Sequence, residues 1–187
     1  MTLRPAPEWR TTGWLNTPEP LSLERLRGKV ILLHAFQMLC PGCVARSIPQ
    51  AQRVAELFAG APLAVVGLHT VFEHHEAMKL ESLRAFLHEY RVKFPVGVDA
   101  PGEGGDPIPR TMRAYAMQGT PTTVLIDAQG RLRRQVFGLH DDLLLGAELQ
   151  TLLLEARTGP VSGVQPSTPG VHSAGGCDDG GCAVPTP

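Results

Sequence analysis

An apolar run that leads straight into two cysteines, K-V-I-L-L-H-A-F-Q-M-L-C-P-G-C at residues 29–43, limits what this chain can become more than any other stretch. Val30 to Leu33 form a short apolar segment whose β-branched Val30 and Ile31 favour a strand, with Ala35 and Phe36 continuing it. Pro41 has a fixed φ and no N–H to leave unpaired, so it suits the first turn of a helix running on through Val44 and Ala45. That places Cys40 at the N-cap. Free backbone N–H groups and the positive end of the helix dipole stabilise a thiolate there, so the Cys40 pKa is expected below the ordinary thiol value of about 8.5. Cys43 falls one turn further on and is expected to be less exposed. An attacking thiolate and a resolving thiol are the two parts that thiol-disulfide exchange requires.

The stretch resembles the active site of the thioredoxin superfamily, in which a strand, a loop and a helix carry a Cys-X-X-Cys. With L-R-G-K-V-I-L-L before it and G-T-P-T-T-V-L-I-D at 119–127 after it, the chain is more similar to the TlpA-like and AhpC/TSA-type thiol-disulfide oxidoreductases, over roughly residues 7 to 155. The resemblance implies a thioredoxin-like α/β fold, a central mixed β-sheet flanked by helices. It implies a cis bond between Thr120 and Pro121, with the proline against the cysteines and the Thr120 backbone pairing with a bound substrate chain. It also sets His34, six residues before Cys40, where thioredoxins carry a buried acid. An imidazole there is a candidate acceptor for the Cys43 proton. In relatives a proline follows the second cysteine by five residues, whereas Pro49 follows Cys43 by six, and a proline inside a helix is expected to kink it.

The remaining pattern agrees with alternating strands and helices. Residues 1–20 suggest an irregular arm anchored by Trp9, Trp14 and Leu15, and Ser22 caps a short turn before Gly28 leads into the central strand. Leu63–Leu68 has the pattern of a second buried strand. Leu80, Leu83, Phe86, Leu87 and Tyr90 mark an amphipathic helix within residues 76–92. Phe94–Val98 predicts a third strand and Arg110–Met117 a short helix. Thr122–Ile126 and Leu132–Phe137 predict a hairpin, and Leu143–Arg157 a closing helix.

With 187 residues and 43% hydrophobic content, the chain suffices for one domain with a sizeable core, here residues 1–157. From Thr158 onward Gly, Pro, Ser and Thr dominate, which predicts a flexible tail over 158–187 ending in G-G-C-D-D-G-G-C. Its Cys177 and Cys182 are candidates for an auxiliary redox pair that shuttles electrons to the core, or for capture of a soft metal ion, or for no role at all. The formal net charge of −1, without a basic run, removes the electrostatic case for nucleic acid or an anionic membrane. Protein or small-molecule disulfides as substrates and a thiol electron donor are the expected partners, with no cofactor and no metal. Glu73-His74-His75-Glu76, with His69 nearby, has metal-ligating residue types but suits a solvated loop better. The N-terminal residues lack an apolar leader core, so a cytoplasmic address is expected. Many TlpA-like proteins are exported or membrane-anchored, so this departs from the family pattern.

Two alternatives stay open at this level. C-P-G-C-V also resembles the T-P-G-C-T loop of some peroxiredoxins, which would make Cys43 the peroxidatic nucleophile. The usual threonine three residues earlier is Cys40 here, and the usual proline seven residues earlier is Phe36; peroxide activation needs a hydroxyl and a guanidinium around the thiolate, so these losses count against that reading, with Arg46 or Arg110 as the candidate cation. A metal-binding or sensor module built on all four cysteines is the other.

Overall fold

In the computed structural model, residues 3–158 are described. Thr158, expected to open the tail, instead ends the last helix, its Oγ1 donating to the Leu154 and Glu155 carbonyls; residues 159–187, with Cys177 and Cys182, lie outside the described residues. Six strands form one mixed sheet: β1 (Thr11–Leu15), β2 (Val30–Phe36), β3 (Leu63–His69), β4 (Val96–Asp99), β5 (Thr122–Ile126) and β6 (Leu132–Phe137), in the spatial order β1-β4-β3-β2-β5-β6. Strands β2, β3 and β4 run parallel, and β1, β5 and β6 are antiparallel to their neighbours. Helices α1 (Ile48–Leu57), α2 (Leu80–Glu89), α3 (Arg110–Ala114) and α4 (Asp142–Thr158) complete the fold.

The central strand β2 is buried at all seven positions. Its side chains alternate between two cores, as the period of two demands. Val30, Leu32 and Phe36 join residues of α1, α2 and α4 such as Ile48, Leu83 and Leu149. Ile31, Leu33 and Ala35 join Trp9, Leu26, Met112 and Tyr115 on the other face. Being covered on both sides is why this segment is an apolar run and not an alternation. His34 shares the face of Leu32 and Phe36, which turns its ring toward the helix that follows the cysteines.

Three expectations need correction. The N-terminal arm is not irregular throughout: Thr11–Leu15 is a strand, antiparallel to β4 with Leu15 opposite Val96, and it closes that edge of the sheet. Trp9 and Trp14 still anchor it, their rings 5.9 Å apart, with the Trp9 indole donating to the Tyr115 hydroxyl at 3.2 Å. The flanking prolines and Gly13 hid a strand whose partner lies some 85 residues away. The helix expected from Glu76 begins only at Leu80, because His74 has a positive φ and residues 75–77 form a separate turn. Finally, the helix after the cysteines is locally widened and not simply kinked. Cys43–Ser47 form a π turn in which the Ile48 N–H donates to the Cys43 carbonyl. A π turn holds one more residue than an α turn. It takes up the slip that places Pro49 six residues after Cys43, so Ile48, Ala51 and Val54 still face the core.

Gly28, with φ +85°, performs the expected reversal into β2 in a conformation side chains resist. Among the described residues no helix is long and apolar enough to cross a membrane.

Candidate active site

The carboxyl ends of the parallel strands β2, β3 and β4 all open on one edge, the usual place for a site in sheets of this kind. The chain leaves β2 at Phe36, makes a tight turn over Met38 and Leu39, and enters the helix at Pro41. Cys40 sits at the helix N-cap, as expected: the Val44 N–H donates to its carbonyl at 3.1 Å, closing the first helical turn. The Cys43 N–H donates to Cys40 Sγ at 3.4 Å, which is the bond an N-cap side chain accepts.

The sulfurs of Cys40 and Cys43 are unbonded. Cys40 is half-buried, whereas Cys43 is 0% exposed. Burial, and then the hydrogen bond with Cys40, push the Cys43 thiol well above the ordinary range. The two sulfurs are thus held in unlike environments one helical turn apart.

On the facing side, the Thr120–Pro121 bond is cis. Cys40 Sγ donates to the Thr120 carbonyl at 3.5 Å. Gly42 lies flat against Pro121: a Cβ there would stand 3.5 Å from Pro121 Cδ. Cys40, Cys43, Thr120 and Pro121 therefore meet in one place.

His34 reaches the same helix from below. It is 1% exposed, and burial pushes its pKa down to about 4, so the ring is neutral near pH 7. Its Nε2 shares a 3.2 Å hydrogen bond with Ser47 Oγ, which also lies 3.4 Å from the Gly42 and Cys43 carbonyls. The contact of His34 with the dithiol turn thus runs through Ser47, a residue that sequence reasoning passed over. Its spacing, four residues after Cys43, was the available signal.

Gln37 was passed over as well. It is 1% exposed, and its amide nitrogen reaches Glu73 Oε1 at 3.3 Å and Thr120 Oγ1 at 3.5 Å. Its amide oxygen accepts from the Phe72 N–H at 3.3 Å, and its carbonyl accepts from the Cys40 N–H at 3.3 Å. One buried residue thereby ties together the cysteine turn, through its backbone carbonyl, and the Thr120 loop and the loop after β3, through its side chain. A lone amide at the end of an apolar strand was its trace in the sequence. Glu73 belongs to this network. Among the described residues no group of three or more His, Cys, Asp or Glu side chains is arranged to hold a metal ion.

This sheet, with a dithiol at a helix N-terminus facing a cis-proline, defines a thioredoxin-like redox protein. The chain belongs to the AhpC/TSA family, whose profile matches residues 3–135. Among solved structures it is similar to a thioredoxin-like superfamily protein, 59% identical with a TM-score of 0.78, covering 80% of this chain and 96% of that one. A thiol-disulfide isomerase from Corynebacterium glutamicum is 47% identical with a TM-score of 0.75, covering 79% and 96%. Protein DipZ of Mycobacterium tuberculosis is 31% identical over 159 residues, 84% of this chain and 21% of DipZ, so the chain spans about a fifth of that relative. The chain is a thioredoxin-like, AhpC/TSA-type oxidoreductase.

Proposed function

We propose that the chain exchanges electrons with protein or small-molecule disulfides through the Cys40-Pro41-Gly42-Cys43 dithiol in the TlpA-like manner, and that Cys40 leads. The observation that carries this reading is the asymmetry of the pair: Cys40 Sγ is reachable, capped by an N–H and 3.5 Å from the Thr120 carbonyl, while Cys43 is sealed and held protonated. In the forward direction the Cys40 thiolate attacks one substrate sulfur. A mixed disulfide forms as the substrate S–S bond breaks, and the second substrate sulfur leaves as a thiolate. Cys43 gives up its proton and attacks Cys40 Sγ, closing the Cys40–Cys43 disulfide and releasing the reduced substrate. Two electrons pass from the dithiol to the substrate, and an external thiol donor restores the pair.

His34 is the proposed acceptor of the Cys43 proton by way of Ser47 Oγ, with which its Nε2 shares a hydrogen bond. Thr120 and Pro121 are the proposed substrate-binding edge: the Thr120 backbone borders the leading sulfur and is only partly buried. The proposed setting is cytoplasmic, where small-molecule and protein thiols return such pairs to the dithiol form. Cell fractionation tests this address.

A peroxidase led by Cys43 needs that sulfur ionised and open to peroxide. Its complete burial and raised thiol pKa argue against the peroxidase reading. Iodoacetamide labelling at mildly acidic pH, followed by peptide mapping, separates the two. Label on Cys40 is expected, and first labelling of Cys43 would overturn the assignment of roles.

A further inference from the structure

Beside the dithiol helix runs a groove of about 400 Å³ lined by Ala45, Arg46, Pro49 and Arg53 on one wall and by Leu139 and Asp142 on the other. The second wall is continuous with the candidate substrate edge, because the Gly138 N–H donates to the Pro121 carbonyl at 2.8 Å. Its two acids are already engaged. Asp141 accepts from the N–H groups of Leu143 and Leu144 at the start of α4, and Asp142 is held by Gln50 and Arg53 at 2.5 and 2.9 Å. Arg46 is exposed and makes no ion pair among the described residues. The groove thus presents, six residues after Cys40 and about 9 Å along the helix axis, a cation outside any ion pair of the described residues, whose charge acts on Asp142, an acid already paired with Arg53.

We propose that this groove receives the chain's own segment Cys177-Asp178-Asp179-Gly180-Gly181-Cys182, an aspartate pairing with Arg46, so that a tail cysteine exchanges with Cys40. The proposal rests on the reading of Cys40 as the leading thiol. Charge complementarity picks the occupant: the segment sets two adjacent carboxylates between two cysteines. Reach agrees. The Asp142 end of α4 lines the groove, and the 17 residues of the helix carry its Thr158 end about 25 Å away. From Thr158 to Cys177 the chain can span up to about 60 Å. Cys182, three residues past Asp179, can lie up to about 10 Å from it, comparable to the axial rise from Cys40 to Arg46.

The exchange balances without a further reagent. Starting from a Cys177–Cys182 disulfide, the Cys40 thiolate attacks one tail sulfur, and the other leaves as a thiolate that takes up a proton. Cys43 then loses its proton, attacks Cys40 Sγ and displaces the tail. One S–S bond breaks, one forms, and two electrons move from the core pair to the tail pair; the reverse passes them back.

The test uses full-length protein carrying Cys43→Ser, which stops the exchange at the mixed disulfide. The protein is oxidised in a glutathione buffer, acid-quenched, alkylated and mapped by mass spectrometry. Expected is a Cys40 disulfide to Cys177 or Cys182 within one chain, its yield independent of protein concentration, with an effective concentration around millimolar. Adding R46E should lower that effective concentration about three- to fivefold, the range of an exposed ion pair. Adding D178K and D179K to R46E should restore it. A yield that rises with protein concentration, or one that R46E does not move, overturns the proposal. Each variant is also reacted with uncharged hydroxyethyl disulfide. Capture at Cys40 without capture of the tail defeats this inference alone, whereas failure of both defeats the reading of Cys40 itself.

Discussion

His34 Nε2 stands 3.2 Å from Ser47 Oγ, both groups buried, and this contact joins the central strand to the wide helical turn that begins at Cys43. Ser47→Ala leaves a buried imidazole nitrogen without that partner, which costs about 1–3 kcal/mol. Urea unfolding is expected to show this as a lower midpoint at unchanged slope. If His34 takes the Cys43 proton, Ser47→Ala and His34→Leu should also slow resolution of a mixed disulfide, and the double variant should lose less than the sum. Additive losses would show that the pair does not act as a unit.

Cys40→Ser is expected to abolish disulfide reduction, a loss of at least about a thousandfold in kcat/KM. Cys43→Ser should still attack and then stall, so intact-mass measurement should find one substrate molecule per chain attached at Cys40. Turnover retained by Cys40→Ser would reverse the two roles.

Stability should fall on acidification through a known window. Burial lowers both His34 and His69 to about 4, below the ordinary histidine value of 6.5. Between those limits the unfolded chain binds protons that the folded chain refuses, so unfolding free energy rises with pH across the window. The contribution is complete above about pH 6.5 and is lost as pH falls toward 4, of order 3 kcal/mol for each ring. Urea titrations at pH 7, 5.5 and 4.5 check the sign. His34→Gln should reduce the slope, leaving the share of His69 and of His140, whose pKa burial also lowers.

Gln37→Leu keeps the volume of the side chain but deletes bonds to the Thr120 loop and the Phe72 N–H. Expected is a raised KM for protein disulfides, about tenfold, with a much smaller effect on a small disulfide that needs little of the Thr120 edge. An equal loss on both substrates would assign Gln37 to the fold and not to the positioning of that edge.

The sequence carried the centre of the molecule well and its margins less well. β2 and the Cys40–Cys43 spacing were legible because a buried strand and a helix start each have a local pattern that needs no partner to be read. Thr120-Pro121 was legible through resemblance alone, since nothing local to a proline reports which isomer its neighbours hold. β1 escaped because its strand character comes from pairing with β4, a contact between distant residues. Ser47 and Gln37 escaped for a related reason. Each is an ordinary polar residue until the fold lays His34 or Thr120 beside it, and burial then makes every one of its hydrogen bonds count. The π turn left a one-residue offset as its trace, while the form of the accommodation depended on packing.

That accommodation works as a phase shifter. Each residue added to a regular helix rotates everything downstream by about 100°. Without the wide turn, the additional residue between the dithiol and Pro49 would swing Ile48, Ala51 and Val54 off the sheet or twist the sulfurs away from Pro121. Because the rotation is absorbed within five residues, the reactive end of the helix keeps its place against Pro121 while its anchoring stem stays seated on the sheet.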